Sequence, residues 1–403
     1  MNQPLFLHIV ERLEGFLGKL PASIQKPVLH ELTPLKELFL KQRAPRFVLT
    51  GSHKFPVQEV VAALFATAQP GDLRDVLMEV HRWQDMNVGG HGNVALLDAR
   101  GADGATLRKI SEELEHEAAD VFLHVIDGSS ARPVLTRDLE TLAALASVQR
   151  PGETRRPRVI GISMVTPRPS TTEHNGHQTE DRGDAQEKLQ TALVGLGGVG
   201  ELVLQVLEVE LGGGAAPAEN PGAARLMALL AQELPNEARV EMIRISRDRQ
   251  AQEQIAQVLV KSTSAICTAV GAQPIPLADL PILTTLQLVM VSGIMYIAGR
   301  ERSLRAATEF VAALGVNVGA GMVLREGARA VLKFFPGWGN VVCGMVAGAG
   351  TYALGRAAIV YFLEGVTLKD ARRIYLKSRK KKDPPRAKLL REASTPPRTR
   401  SSG

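Results

Sequence analysis

The chain has 403 residues, 45% of them hydrophobic, enough for the cores of roughly two or three domains and too many for a disordered or fibrous protein. Its formal charge is +6, yet from Lys369 onward there are 13 Lys/Arg against 3 Asp/Glu, so the residues before that point are net acidic. The basic isoelectric point therefore belongs to the tail and argues against a basic, nucleic-acid-binding body, while two cysteines, Cys267 and Cys343, both in apolar stretches, fit buried thiols in a reducing compartment better than a disulfide framework.

The first residues, MNQPLFLHIVERLEG, lack a basic region ahead of their apolar run, and Glu11 and Arg12 interrupt that run. They do not read as a signal peptide, and the chain is expected on the cytoplasmic side. Phe6, Ile9, Val10, Leu13, Phe16, Leu17 and Leu20 fall at helical spacing before Pro21. A second helical stretch follows over roughly 22–42. Residues 1–45 are thus predicted to be an amphipathic helical lead-in that packs on the next domain.

From 46 to 222, short β-branched runs alternate with helical ones. The predicted strands are 46–50 (RFVLT), 93–99 (NVALLDA), 120–127 (DVFLHVID), 158–165 (RVIGISMV) and 202–210 (LVLQVLEVE). Between them lie helix-like segments such as PVQEVVAALFATA, TLRKISEELEHEA and TRDLETLAALASV. This alternation predicts an α/β domain with a mainly parallel sheet. Residues 167–184 read as a polar surface loop. From 223 to 366 the pattern becomes all-helical and strongly apolar, and 367–403 has the Lys/Arg, Pro and Ser content of a basic, disordered tail.

The stretch TGSHKFPVQEVVAAL (50–64) follows the first predicted strand and has the outline of a phosphate-binding loop. Such a loop aims successive backbone N–H groups at phosphate oxygens, with a Lys for charge and a Ser/Thr for magnesium. With Gly51 on the first motif glycine, Val57 and Gln58 occupy the Lys and Ser/Thr positions, and Pro56 removes a donor. Gly51, Ser52, His53 and Lys54 remain as candidate phosphate contacts. Downstream, DARG ends a strand with Asp98 and then Gly101, the pattern of a magnesium-side carboxylate and a γ-phosphate-sensing glycine. Asp98 would act on Mg²⁺ only if a nucleotide binds. Where a guanine-reading element is expected, Ser163, Met164 and Thr166 offer no carboxylate.

With KLPASIQKPVLHELTPLKELFLKQRAPRFVLTG (19–51), DARG and VIGISMVTP, and more strongly with PIPLADLPILTTLQLVMVSGIMYIAGRE and GTYALGRAAIVYFLEG, the chain resembles bacterial Era-like GTPases with a C-terminal domain of unknown function 697. The resemblance spans about residues 10–366. It implies a Ras-like P-loop fold, GTP with Mg²⁺ as the ancestral ligand, and association with a membrane surface or the inner membrane. The chain departs from that pattern at the loop Lys and Ser and at the base-reading Asp. The expectation is a degenerate GTPase-like domain followed by a hydrophobic all-α domain, acting as a membrane-associated scaffold or switch. The alternatives are an active GTPase with an unconventional loop, and a soluble partner-recognition protein.

Other motifs read as bland. GLGGVG (195–200) matches a dinucleotide fingerprint but falls between a predicted helix and a predicted strand, with Glu219 as its only acidic partner. His174 and His177 have no further ligand cluster nearby. Asp127 reads as a strand-end turn former. Residues 281–298 are 18 uncharged residues, at the short edge of a bilayer span, and the Gly315/Gly319 and Gly344/Gly348 pairs allow close helix approach in lipid or in a soluble bundle. The tail is attracted to anionic lipid by its charge, and it has no interleaved aromatics for nucleic-acid bases.

Overall fold

The structure is a computed structural model that describes residues 42–65, 81–88, 91–150, 152, 155–166, 176–212, 220–272, 279–315 and 338–382. They fall into two compact units, one reaching Asp248 and the other starting at Arg249. The expected helical lead-in lies outside the described residues except for its last four positions.

In chain order the first unit comprises β1 (Arg46–Gly51), α1 (Val57–Phe65), β2 (Gln84–Val88), β3 (Gly92–Asp98), α2 (Gly104–His116), β4 (Val121–Asp127), α3 (Thr136–Ala146), β5 (Arg158–Val165), α4 (Gly176–Val194), β6 (Val203–Glu210), α5 (Pro221–Glu233) and α6 (Asn236–Ser246). The six strands form one sheet in the order β2-β3-β1-β4-β5-β6. All neighbours are parallel except β2 and β3. The central strands are mostly apolar because helices cover both faces: Phe47, Val48, Leu49 and the whole of β4 are buried. On one face Val48, Phe122, Ile126 and Val159 pack with Ile110 of α2, Leu142 of α3 and Leu189 and Leu193 of α4.

Three local structures differ from expectation. β2 was not predicted: only Met86 and Val88 of its five residues are buried, so its apolar signal is too thin to mark an edge strand. α4 begins at Gly176, inside the expected loop, and His177 is in its first turn, while His174 lies outside the described residues. The α/β unit also runs past the compositional boundary at 222. Asn220 caps α5 by accepting from Ala223 N (3.1 Å) and donates to the Glu210 carbonyl (3.0 Å). A Cβ on Gly222 would lie 1.7 Å from the Glu208 carbonyl oxygen, so α5 starts directly against β6. On α6, buried Glu241 accepts from Asn93 N of β3 (3.3 Å). These two helices look like the start of the helical domain by composition, but they complete the sheet's packing.

The second unit contains α7 (Arg249–Gly271), α8 (Asp279–Ile297), α9 (Leu304–Ala313), α10 (Trp338–Phe362) and α11 (Leu368–Lys382). α7 and α10 run against each other with glycines at the contact. Added Cβ atoms on Gly344, Gly348 and Gly355 would meet Thr268 O (2.6 Å), Thr268 Oγ1 (1.8 Å) and Val260 Cγ2 (2.4 Å). Cys267 is buried in this unit, and burial pushes its thiol up to about 12. The 281–298 run falls mostly in α8, where Met290, Val291, Ile294 and Ile297 are buried. No helix among the described residues is long and apolar enough to cross a membrane. The disorder expected from 367 is overturned up to Lys382: α11 buries Ala371 and Tyr375 and packs on α10. Two small or aromatic positions at i, i+4 suffice to hold a helix that its charge count disguises.

Candidate functional site

The loop after β1 meets the turn after β3 at the carboxyl ends of the strands. This is the place where open α/β sheets present ligand sites, and the parallel register Leu49↔Asp98 brings the two segments together. Gly51 has φ +94°, and a Cβ there would sit 2.2 Å from the Val125 carbonyl oxygen. Both the backbone angle and the close approach of β4 therefore require glycine.

Beyond Gly51 the loop is tied to β4 and to its own side chains. Ser52 N donates to Val125 O (2.8 Å), and Lys54 N to Ser52 Oγ (3.3 Å). The Pro56 carbonyl accepts from Glu59 N and Val60 N, each at 3.1 Å, and opens α1. Val57 and Gln58 are the first two residues of that helix and are half-buried. In the motif register expected from Gly51, they fall at the positions of the cation and the metal ligand.

Lys54, 60% exposed, reaches across to Asp127 at the end of β4, with Nζ–Oδ2 at 2.5 Å. Asp127 Oδ1 accepts from Ser129 N (3.0 Å) and Ser129 Oγ (2.6 Å). Burial would raise the Asp127 pKa, but the bonds from Lys54 and Ser129 outweigh it and hold the carboxyl below its usual range. Asp127 is a strand-end turn former, as its position suggested, and also the acceptor for the loop's lysine.

Asp98 is held in the same way. Arg100 Nε donates to Asp98 Oδ1 (2.8 Å) and Nη2 to Asp98 Oδ2 (2.9 Å). The third nitrogen, Nη1, donates to the Phe55 carbonyl (2.9 Å) and lies 3.5 Å from the Ser52 carbonyl. The Arg100 side chain is 4% exposed. A planar guanidinium thus joins Asp98 to the loop and engages both carboxylate oxygens, so a metal ion would compete with it for this carboxylate. Gly101 (φ +71°) follows, and a Cβ on it would lie 3.4 Å from the His53 ring. Asp138, in the first turn of α3, has its pKa raised by burial, partly opposed by the charges of His53 and Arg137.

The structure therefore brings Gly51, Ser52, His53 and Lys54 beside Asp98 and Gly101. Of the guanine-side positions, Ser163 and Met164 are fully buried within β5, and Met164 O accepts from Gly128 N (2.8 Å); Thr166 is exposed just past the strand. Beneath the loop, Thr50 Oγ1 lies 3.1 Å from His124 Nδ1, both fully buried. His124 Nε2 and Ser163 Oγ are buried without a hydrogen-bond partner. GLGGVG forms the turns and short 3₁₀ helix that lead from α4 into β6, an order opposite to that of a dinucleotide fingerprint. No group of three or more potential metal ligands occurs among the described residues.

Sequence reasoning passed over Arg100, His124 and the role of Asp127 as Lys54's partner. Arg100 carried a local signal, because an Arg two residues after a strand-end Asp can fold back onto it. The other two depend on registers between β1 and β4 that sequence does not display.

No family model matches the chain. One curated relative, Magnetosome membrane protein 22 of Magnetospirillum gryphiswaldense, is 28% identical over 141 residues, which cover 32% of this chain and 71% of the relative. Among solved structures, two chains of an oligomerised bacterial dynamin pair, described as a mechanism for long-range sensing and tethering of membranes, align over 97% of this chain and 74% and 78% of theirs. Their TM-scores are 0.32 and 0.28 at 10% identity, below what marks a shared fold.

Proposed function

We propose that this chain is a GTPase-derived protein of Ras-like fold whose nucleotide site is closed by its own side chains, and that it works as a membrane-associated scaffold or switch rather than by hydrolysing GTP. The observation that carries the reading is the double closure of the site. Lys54 is spent on Asp127 and Asp98 is spent on Arg100, while Val57 and Gln58 replace the residues that would bind phosphate and magnesium. The strand order and its single antiparallel edge strand fit a Ras-like domain. Membrane association is supported by the resemblance of the helical half and by a relative that is itself a membrane protein.

The test is a titration of the purified full chain with labelled GTP and Mg²⁺. No binding tighter than about millimolar is expected. Tight, Mg²⁺-dependent binding overturns the closed-site reading in favour of an active GTPase. Cell fractionation tests the location: protein wholly in the soluble fraction overturns the membrane half of the proposal and favours a soluble partner-recognition role.

A further inference from the structure

α11 presents two different faces. Ala371 and Tyr375 are buried, and the helix packs on α10. The residues exposed around the rest of the helix are Leu368, Lys369, Arg372, Arg373, Leu376 and Lys377. Leu376 lies among these cations, within about 60° of Lys369, Arg372 and Arg373 around the axis, while Leu368, about 12 Å back along the axis, borders the group beside Arg372. Acidic residues do little to neutralise this face. Asp370 is the only one in the helix; it accepts from Thr367 Oγ1 (2.7 Å) and lies 3.6 Å from Arg373 Nη1. Arg372 lies along the chain at Gly315, where a Cβ would approach its Nη2 to 3.1 Å. Lys369 and Lys377 have no acidic partner among the described residues. The helix continues in sequence through Arg379, Lys380, Lys381 and Lys382.

From this geometry we infer that the exposed face of α11 is the membrane-docking surface, and that its partner is an anionic phospholipid bilayer. The inference rests on the membrane-associated reading and deepens it by naming the element and the lipid chemistry. Charge complementarity selects the partner: clustered Lys/Arg on one side of a helix gain attraction from acidic head groups within a Debye length. Leu376 can enter the head-group boundary while the cations around it stay at the phosphates. A nucleic acid is the poorer fit, because the one aromatic of this helix, Tyr375, is buried and no ring is available to stack on bases. α8 spends Met290, Val291 and Ile294 on the unit's own core.

The experiment is co-sedimentation of the full chain with vesicles of mixed phosphatidylglycerol and phosphatidylcholine, and with pure phosphatidylcholine, at low and high salt. The comparison variants are Lys369→Glu/Arg373→Glu/Lys377→Glu and the charge-neutral Lys369→Gln/Arg373→Gln/Lys377→Gln, which keeps the result readable if reversal harms folding. Wild type is expected to prefer the anionic vesicles and to lose binding in salt, and either variant to bind at least about tenfold more weakly. Variants that bind like wild type overturn the assignment to α11 and leave the membrane reading standing. Wild type that binds neither vesicle overturns both, as does single-stranded RNA binding lost in the variants without any vesicle binding.

Discussion

Arg100 meets Asp98 with two parallel hydrogen bonds, Nε to Oδ1 at 2.8 Å and Nη2 to Oδ2 at 2.9 Å, while its remaining nitrogen holds the Phe55 carbonyl. One guanidinium thereby fixes the loop after β1 to the end of β3. Because the Arg100 side chain is nearly inaccessible, deleting it leaves a carboxylate and a carbonyl short of partners. Arg100→Ala is expected to lower stability by about 2–4 kcal/mol in urea denaturation of the full chain. Arg100→Lys should recover less than half of that, since an ammonium cannot reproduce the fork. An alanine loss below about 0.5 kcal/mol would show that the pair is incidental.

The Lys54–Asp127 pair is of a different kind, with one partner largely exposed and the other buried. Lys54→Met should cost less than about 1 kcal/mol, because solvent screens an exposed ammonium. Asp127 has its pKa depressed, so its contribution is present above the unfolded carboxyl pKa and is lost as pH falls through the folded one. Reconstitution is the more telling measurement. Val57→Lys with Gln58→Ser restores the missing residue types but leaves Asp98 occupied, so calorimetry should still detect no Mg²⁺-dependent GTP binding. Adding Arg100→Ala together with Pro56→Gly and Lys54→Ala, which relieve the remaining obstacles at the loop, should make such binding appear. Binding already present in the double variant would show that Arg100 does not close the metal side.

The parallel strands were legible because the central ones are β-branched or apolar runs buried on both faces, and RVIGISMV is β5 residue for residue. β2 was not, because an edge strand with residues such as Asp85 and Asn87 facing solvent carries little apolar signal. Composition placed the domain boundary too early, since α5 and α6, helical like the segments beyond Arg249, pack on β6 and β3. The outline of the loop could be read from Gly51 and DARG. Its closure could not, because Lys54–Asp127 and Thr50–His124 join residues more than 70 positions apart through strand register.

His124 gives the domain a pH dependence that can be isolated. Burial lowers its pKa from 6.5 to about 4. Between those values the unfolded chain binds a proton that the folded chain refuses, so stability rises with pH across this window and the penalty is complete below about pH 4. The size follows from the shift, about 3 kcal/mol between pH 6.5 and 4. His124→Gln should flatten the stability profile over that range in urea titrations at successive pH values. An unchanged slope in the variant would assign the effect to other groups.

The contact between α7 and α10 makes the fourth prediction, because two glycines of one helix should respond in opposite directions. A Cβ on Gly344 would stand 2.6 Å from the Thr268 carbonyl oxygen and 2.9 Å from Ala272 Cβ, neither of which can move without shifting α7. One on Gly350 would meet nothing within 4 Å. Gly344→Ala should therefore destabilise by about 1–3 kcal/mol through forced separation of the helices. Gly350→Ala should stabilise by about 0.5–1 kcal/mol, because alanine loses less backbone freedom in a helix interior. Thermal melts of the two variants against wild type give the comparison directly. If both shift upward, the helices have room between them and the glycines are not what sets their distance; if both shift downward, α10 requires glycine for a reason other than the approach of α7.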